Sequence, residues 1–130
     1  MPKTILLIED DFAIIDVYTI VLEGAGFKVE TITLGAQALE KMKEIKKGKA
    51  KKPDLLLLDL ILPDMNGIDI LKAMRKEKET KDIAVFVLTN YTDRELEKMG
   101  YDLKSEKHLF KTDYTPTQLV KLIKKRLKEK

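Results

Sequence analysis

The chain has 130 residues, the size of one domain, of which 44% are apolar and 36% charged. That apolar share excludes a disordered chain, and the lack of cysteine excludes disulfides and Cys-based zinc or nucleophile chemistry. A single histidine excludes a His-rich metal site. No apolar run approaches the roughly 20 residues of a membrane helix, so we expect a cytoplasmic protein with no membrane partner.

The net charge of +3 conceals two basic runs. Residues 41–52 hold seven lysines and one glutamate, and residues 121–130 hold five lysines, one arginine and one glutamate. Neither run contains an aromatic side chain on which a nucleic-acid base could stack. We therefore expect both runs to be solvated surface and do not expect a nucleic-acid partner.

In the first half of the chain, two apolar patterns alternate. The runs Thr4–Ile8 and Phe27–Ile32 predict strands, which we expect to be covered on both faces. A first helix lies between them, ended by Gly24 and Gly26. Its predicted apolar stripe is Ile14, Val17, Tyr18, Val21, Leu22 and Ala25. A second helix is predicted from the apolar positions Ala38, Leu39, Met42 and Ile45.

The second half repeats this alternation. Further strands are predicted at Leu55–Leu58, Ile83–Leu88 and Leu109–Phe110. A third helix follows the turn signal of residues 63–67, and a fourth covers about Asp93–Met99.

The fifth helix has a clear start. Thr115 is a good N-cap, Pro116 suits the first helical position, and Gln118 stands where a capping box needs Glu or Gln. Five strands alternating with five helices predict an α/β fold with a doubly wound parallel sheet, in the order 2-1-3-4-5 (flavodoxin-like). We expect one domain over residues 1–130 and no output domain.

Ligands of such sheets bind beyond the carboxyl ends of the strands, so the residues that follow each strand matter most. Glu9 and Asp10 follow the first strand, and Asp59 ends the third, its predicted neighbour. These three carboxylates should share one pocket, whereas Asp11 is better placed to cap the first helix.

Like charges this close repel one another, and three remedies are open. One carboxyl can stay protonated, Lys111 can pair with one, or a divalent cation can bind. Oxygen ligands without His or Cys select a hard cation, Mg²⁺ or Mn²⁺. Together with the hydroxyl of Thr89, Lys111 would also suit a phosphoryl group in this pocket.

With these motifs, the sequence resembles the receiver domain of two-component response regulators. The resemblance covers essentially the whole chain and depends on residues 5–11, 59–67, 87–89 and 110–111. The most specific parts are the acidic pair and the Asp-x-x-x-Pro-x-x-x-Gly segment that begins at Asp59.

The resemblance implies a role for each matching residue. Asp59 would accept a phosphoryl group from a phosphohistidine of a histidine kinase or phosphotransfer protein. Glu9 and Asp10, with Asp59 and the backbone carbonyl of Ile61, would hold Mg²⁺. The chain would then be a signalling protein of a two-component system or phosphorelay and not an enzyme in the ordinary sense.

The resemblance also implies a switch. Lys111 would pair with the phosphoryl oxygens, while Thr89 would hydrogen-bond the phosphoryl group and change conformation together with His108. The change would be read by a downstream target protein on the surface of the fourth helix, fifth strand and fifth helix. That surface is also a candidate homodimer interface.

Some positions depart from the family pattern. Thr112 follows the lysine where the family has proline, Asn90 replaces a small residue, and His108 stands where a tyrosine or phenylalanine is usual. Ile61 and Tyr91 are bulky at positions that admit or exclude water, which predicts slow hydrolysis of the phosphorylated form.

Three rival interpretations remain. A flavodoxin-like cofactor binder would need a Gly/Ser/Thr-rich phosphate loop after the first strand, where this chain has Glu-Asp-Asp. A Mg²⁺-dependent phosphatase of the haloacid dehalogenase type, with an aspartyl nucleophile, would have Asp-x-Asp there. A receiver fold can also act as a scaffold without phosphorylation.

Overall fold

A computed structural model describes residues 2–99, 107–110 and 113–128, in which strands and helices alternate along the chain. The strands are β1 (Thr4–Ile8), β2 (Lys28–Ile32), β3 (Leu55–Asp59), β4 (Ala84–Thr89) and β5 (Lys107–Phe110). The helices are α1 (Phe12–Gly24), α2 (Gly35–Lys46), α3 (Gly67–Lys76), α4 (Asp93–Lys98) and α5 (Pro116–Lys128). The predicted α/β class is confirmed.

All strand pairs are parallel, and the order in the sheet is β2-β1-β3-β4-β5, the predicted order. The backbone of β5 pairs with β4 and begins at Lys107, two residues before the predicted start. Chain order reverses at the β1–β3 pair, because β2 lies on one side of β1 and the later strands lie on the other. This reversal is where parallel sheets of this kind bind ligands.

The central strands are buried on both faces, as their continuous apolar runs predict. Leu56 and Val85 belong to a core layer shared with α2, α3 and α4. Leu57 and Phe86 belong to the opposite layer, shared with α1 and α5. Because successive side chains of a strand point to opposite faces, only uniformly apolar strands can serve both layers.

Two expectations of burial were wrong. Lys28, Glu30 and Thr31 are exposed because β2 is an edge strand and not one covered on both faces. Val17 is 46% exposed because it lies on the outer side of α1, whereas Tyr18 is buried against the sheet.

The predicted start of α5 is confirmed. The N–H of Thr115 donates to Oε1 of Gln118 over 2.8 Å, and Oγ1 of Thr115 accepts from the N–H of Gln118 over 3.1 Å. None of the helices in the described ranges has both the length and the apolar content needed to cross a membrane.

Candidate functional site at the carboxyl edge of the sheet

The carboxyl ends of β1 and β3 lie side by side, with Ile8 opposite Leu58 in the parallel ladder. Glu9 and Asp10 directly follow β1, and Asp59 is the last residue of β3. One carboxylate oxygen from each of these three residues lies within 4.8 Å of the other two. The structure thus brings together the three carboxylates that the strand pattern placed at neighbouring strand ends.

This cluster is electrostatically strained. Glu9 and Asp59 are only 1% and 4% exposed, while Asp10 is exposed. Two like charges 4.8 Å apart repel by about 3.5 kcal/mol at an effective dielectric constant of about 20. Positive charge placed among the three oxygens would relieve that repulsion.

Backbone N–H groups orient the two buried carboxylates. Oε2 of Glu9 accepts from the N–H groups of Asp10 and Asp11, at 3.0 and 3.1 Å. Oδ1 of Asp59 accepts from the N–H of Ile61 at 3.0 Å. These bonds fix both side chains before any ligand binds, which reduces the entropy lost on binding.

Asp11 has the capping role predicted for it. Its Oδ1 accepts from the N–H groups of Ala13 and Ile14, at 2.9 and 3.2 Å. The carboxylate therefore satisfies N–H groups at the start of α1 that have no partner within the helix.

Gly67 allows α3 to start directly against the backbone of Asp59. A Cβ atom at this position would lie 2.6 Å from the carbonyl oxygen of Asp59 and 2.8 Å from Cα of Leu60. The N–H of Gly67 donates to the carbonyl of Leu60 at 2.8 Å. From the sequence, Gly67 was placed in a turn signal and at the end of the Asp-x-x-x-Pro-x-x-x-Gly segment, with no contact to Asp59 predicted. Glycine at the start of an amphipathic helix, where other residues are better helix formers, was the signal of a close contact.

Asp64 joins the loop between β3 and α3 to the start of α2, a contact that the sequence analysis missed. Its Oδ1 accepts from the N–H of Gly35 at 2.7 Å, and its Oδ2 from the N–H of Ala36 at 2.9 Å. These hydrogen bonds, from Ala36 and then Gly35, lower the pKa of Asp64 from its usual 3.8. The sequence offered one sign of this contact. Leu34 stands at the N-cap of α2 and has no side-chain acceptor, so the first N–H groups of that helix need a partner from elsewhere.

The same loop is closed at its base. Ile61 and Asn66 form an antiparallel bridge, and Oδ1 of Asn66 accepts from the N–H of Ile68 at 2.9 Å, which caps α3. The side chain of Ile61 remains 49% exposed and lines the acidic pocket. The loop therefore presents an apolar side chain beside the carboxylates.

Thr89, at the end of β4, is fully buried. Its Oγ1 accepts from the N–H of Tyr91 at 2.9 Å. A hydroxyl that accepts in this way can still donate its own proton. The next residue, Asn90, is exposed and lines the acidic pocket.

Two predicted site residues are not tested by these contacts. The backbone of His108 pairs with Val87 in the β4–β5 ladder, and its side chain lies outside the described part of the structure. Lys111 and Thr112 also lie outside the described residues.

The acidic pocket has a volume of about 340 Å³. Its walls are formed by Glu9, Asp10, Asp11, Ile14, Asp59, Ile61, Leu62, Pro63 and Asn90. Octahedral Mg²⁺ bonds of about 2.1 Å set ligand oxygens at most about 4.2 Å apart. The 4.8 Å limit on the separations among the three carboxylates is close to that spacing, so the residues present fit a hard divalent cation.

The fold and site together define a doubly wound α/β protein with an acidic pocket where the strand order reverses. A family model described as the response regulator receiver domain matches residues 5–124. The chain belongs to this family.

Curated relatives support the same assignment. The chain is 34% identical over 128 residues to the DNA-binding response regulator MtrA of Mycobacterium tuberculosis, covering 98% of this chain and 52% of that protein. It is 32% identical over 112 residues to the alkaline phosphatase synthesis transcriptional regulatory protein PhoP of Bacillus subtilis, covering 85% and 43%. The chain therefore spans about half the length of the curated relatives it matches.

Solved structures agree in fold. A CheY-like response regulator receiver domain protein from Methanospirillum hungatei has a TM-score of 0.79 at 29% identity, covering 99% of this chain and 96% of that one. The phosphorylated cyanobacterial phytochrome response regulator RcpA has a TM-score of 0.78 at 28% identity, covering 97% and 91%.

Proposed function

We propose that residues 1–130 form one receiver domain that accepts a phosphoryl group on Asp59. The observation that carries this proposal is the group of three carboxylates within 4.8 Å at the ends of β1 and β3. Membership of the receiver family supports it. The donor would be a phosphohistidine of a histidine kinase or of a phosphotransfer protein.

In the transfer step a carboxylate oxygen of Asp59 forms a bond to phosphorus while the bond from phosphorus to the histidine nitrogen breaks. The released imidazole nitrogen keeps the bonding electron pair and takes up a proton. The hydrogen bond from the N–H of Ile61 to Oδ1 holds the carboxylate in place for this attack.

Glu9, Asp10, Asp59 and the backbone carbonyl of Ile61 would hold Mg²⁺, with Mn²⁺ as an alternative. When bound, the cation neutralises negative charge on the carboxylates and on the phosphoryl oxygens. The backbone hydrogen bonds to Glu9 keep its carboxylate turned toward the cluster.

Thr89 could transmit phosphorylation of Asp59 to the surface, because it contacts the backbone just before α4. Its hydroxyl contacts the N–H of Tyr91, and Thr92 caps α4 through a capping box with Glu95. We propose that Thr89 and Lys111 bind the phosphoryl oxygens and that this rearrangement, together with His108, shifts α4 between two conformations. The surface of α4, β5 and α5 would then bind a target protein or a second copy of the chain.

The proposal is for a signalling domain that undergoes phosphorylation, in a two-component system or phosphorelay. DNA binding, named for MtrA, is not part of it, because the match covers about half of that protein.

The test is intact-mass measurement after incubation with a small phosphodonor such as phosphoramidate, with and without Mg²⁺. We expect one phosphoryl adduct that requires Mg²⁺ and is absent from Asp59→Asn. Asp82→Asn, which removes an exposed carboxylate outside the pocket, is the matched control and should be labelled like wild type.

Equal labelling of Asp59→Asn and wild type would show that the acceptor is another residue. No labelling of wild type by phosphoramidate or by any histidine kinase tried would favour the scaffold interpretation. Steady turnover of a generic phosphomonoester, without an accumulated adduct, would favour the phosphatase.

A further inference from the structure

A second cavity lies at the opposite edge of the sheet, near the amino ends of the strands. It has a volume of about 500 Å³. We call it the basic cleft, and the lysines that line it are Lys28, Lys41, Lys49, Lys51 and Lys52. Four of these, Lys41, Lys49, Lys51 and Lys52, belong to the run of residues 41–52 that was predicted to be solvated surface, and Lys28 joins them from the first position of β2.

The lysine-bearing loop after α2 is held in place at its start. Gly48 adopts a left-handed conformation with φ of 77°, which ends the helix. The N–H groups of Lys49 and Ala50 both donate to the carbonyl of Glu44, at 2.8 and 3.2 Å. Ala50 packs against the core, and Pro53 is buried. The backbone that carries these lysines is therefore ordered.

The end of the loop is tied to β1. The N–H of Thr4 donates to Oδ2 of Asp54 at 2.7 Å, and the N–H of Asp54 donates to the carbonyl of Thr4 at 2.9 Å. One oxygen of the Asp54 carboxylate thus accepts from a backbone donor beside the cleft.

The cleft carries a surplus of positive charge. Its one acidic lining residue, Glu30, is 2.8 Å from Nζ of Lys41. Across the described ranges the ion pairs are this one and Lys46–Glu77, so the other four cleft lysines are in none. Clefts lined by one sign of charge concentrate the field and attract counter-ions.

We propose that the basic cleft binds a small anion with several phosphate groups. Lysine ammonium groups bind phosphate as point charges, and several of them favour a ligand with several phosphates. A concave cavity favours a small ligand over a protein surface or a duplex. The lining has no aromatic residue for base stacking, which argues against single-stranded nucleic acid.

This site is separate from the acidic pocket. The five residues of β1 lie between the two edges, a span of about 17 Å at the usual rise per residue. The proposal therefore does not depend on phosphorylation of Asp59.

The test is calorimetric titration of the full chain with sodium tripolyphosphate, in EDTA so that no divalent cation bridges the anion to the carboxylates. We expect saturable binding of one anion per chain. The triple variant K49Q/K51Q/K52Q should lower the affinity by about tenfold or more, because each lost lysine removes a charge-assisted contact. Lys28→Gln alone should lower it severalfold, since Lys28 comes from a different element of the cleft.

The matched control is K121Q/K124Q/K125Q, which removes the same charge from exposed positions of α5. It should bind like wild type, and thermal unfolding of all variants checks that each is folded. Asp59→Asn should also bind like wild type.

An equal loss of affinity in both triple variants would mean attraction by net charge alone and would overturn the proposal. So would the absence of saturable binding to wild type, or an unchanged affinity in the cleft variants. Tighter binding of a duplex DNA than of tripolyphosphate, lost in the cleft triple variant, would make the cleft part of a nucleic-acid surface and would also overturn it.

Discussion

The two edges of the sheet carry opposite charge by different means. At the carboxyl edge, the buried carboxylates Glu9 and Asp59 lie at adjacent strand ends and are oriented by backbone N–H groups. At the amino edge, lysines on an ordered loop, on α2 and on the edge strand β2 surround an open cleft. The charges at the first edge are buried in a fixed geometry that would suit a cation, whereas the charges at the second are mostly exposed and would attract anions through their field.

The difference between the two edges indicates that a buried charged site is more sensitive to small displacements of its residues than an exposed one. Two buried carboxylates need neighbouring strands in a fixed register, so small displacements should disable the acidic pocket. Hydrated lysines tolerate displacement, so only the removal of several charges should disable the basic cleft. Variants at one edge should therefore leave the site at the other edge unchanged.

The largest effect is expected from Gly67→Ala. The added Cβ would overlap the carbonyl oxygen of Asp59 and Cα of Leu60, so we expect a loss of about 2–3 kcal/mol in the free energy of unfolding. Labelling of Asp59 by phosphoramidate should also fall. The measurements are urea unfolding and intact mass.

Gly24→Ala is the control, because a Cβ there would meet nothing within 4 Å. Gly24 is the last residue of α1, where the helix-propensity difference between glycine and alanine is smaller than in the interior, so this variant should change the free energy of unfolding by less than about 1 kcal/mol. If Gly67→Ala matched Gly24→Ala in stability and labelling, the close approach of α3 to Asp59 would not matter.

Asp10→Asn should weaken cation binding without destabilising the fold. In EDTA, removal of one charge from the carboxylate cluster should raise the free energy of unfolding by about 1 kcal/mol, after screening at this exposed position. Added Mg²⁺ should stabilise wild type, and this stabilisation should be nearly lost in Asp10→Asn. Tripolyphosphate binding in the basic cleft should be unchanged.

The experiment is urea unfolding of wild type and Asp10→Asn with and without Mg²⁺. A variant that is less stable than wild type in EDTA, and is stabilised equally by Mg²⁺, would contradict the account of a strained acidic cluster.

Asp64→Asn should lower stability at neutral pH, because the charged side chain holds the N–H groups of Gly35 and Ala36. The lowered pKa of Asp64 means that its ionised form stabilises the fold. That contribution is complete well above the usual value of 3.8 and is lost as pH falls below it. The stability difference between wild type and Asp64→Asn should therefore shrink from pH 7 to pH 3.

Urea unfolding across that pH range measures this difference. Asp69→Asn, an exposed carboxylate in the first turn of α3, is the control for a general charge effect. A difference that stays constant from pH 7 to pH 3 would rule out the carboxylate as the source of the stabilisation.

The smallest effect is expected from Ile61→Asn. The half-exposed Ile61 lines the acidic pocket, and a polar side chain there should admit water to the phosphoryl group. We expect hydrolysis of the phosphorylated form to be severalfold faster than in wild type. Phosphate release over time measures it, with Val17→Asn, an exposed apolar position on α1, as the control. Faster hydrolysis in wild type would refute the role given to Ile61.

Prediction from sequence succeeded where the signal is local or follows from strand order. Continuous apolar runs predicted the central strands, and Thr115 with Gln118 predicted the start of α5. The nearness of Asp59 to Glu9 and Asp10 followed once β1 and β3 were taken as neighbours. The exposure of β2 was not foreseen, although the predicted strand order already places β2 at an edge and Lys28 and Glu30 alternate with apolar residues there.

The apolar patterns along the chain predicted the alternation of strands and helices, and the strand order common to such folds then placed Glu9, Asp10 and Asp59 at one edge. Three features emerged only from the packed elements: Asp64 caps α2, α3 starts against Asp59, and Lys28 lines the same cleft as the loop lysines. The physical reason is that strand and helix periods are encoded in nearby residues, whereas these contacts join residues far apart in the chain. Their partners are set by how the packed elements approach one another.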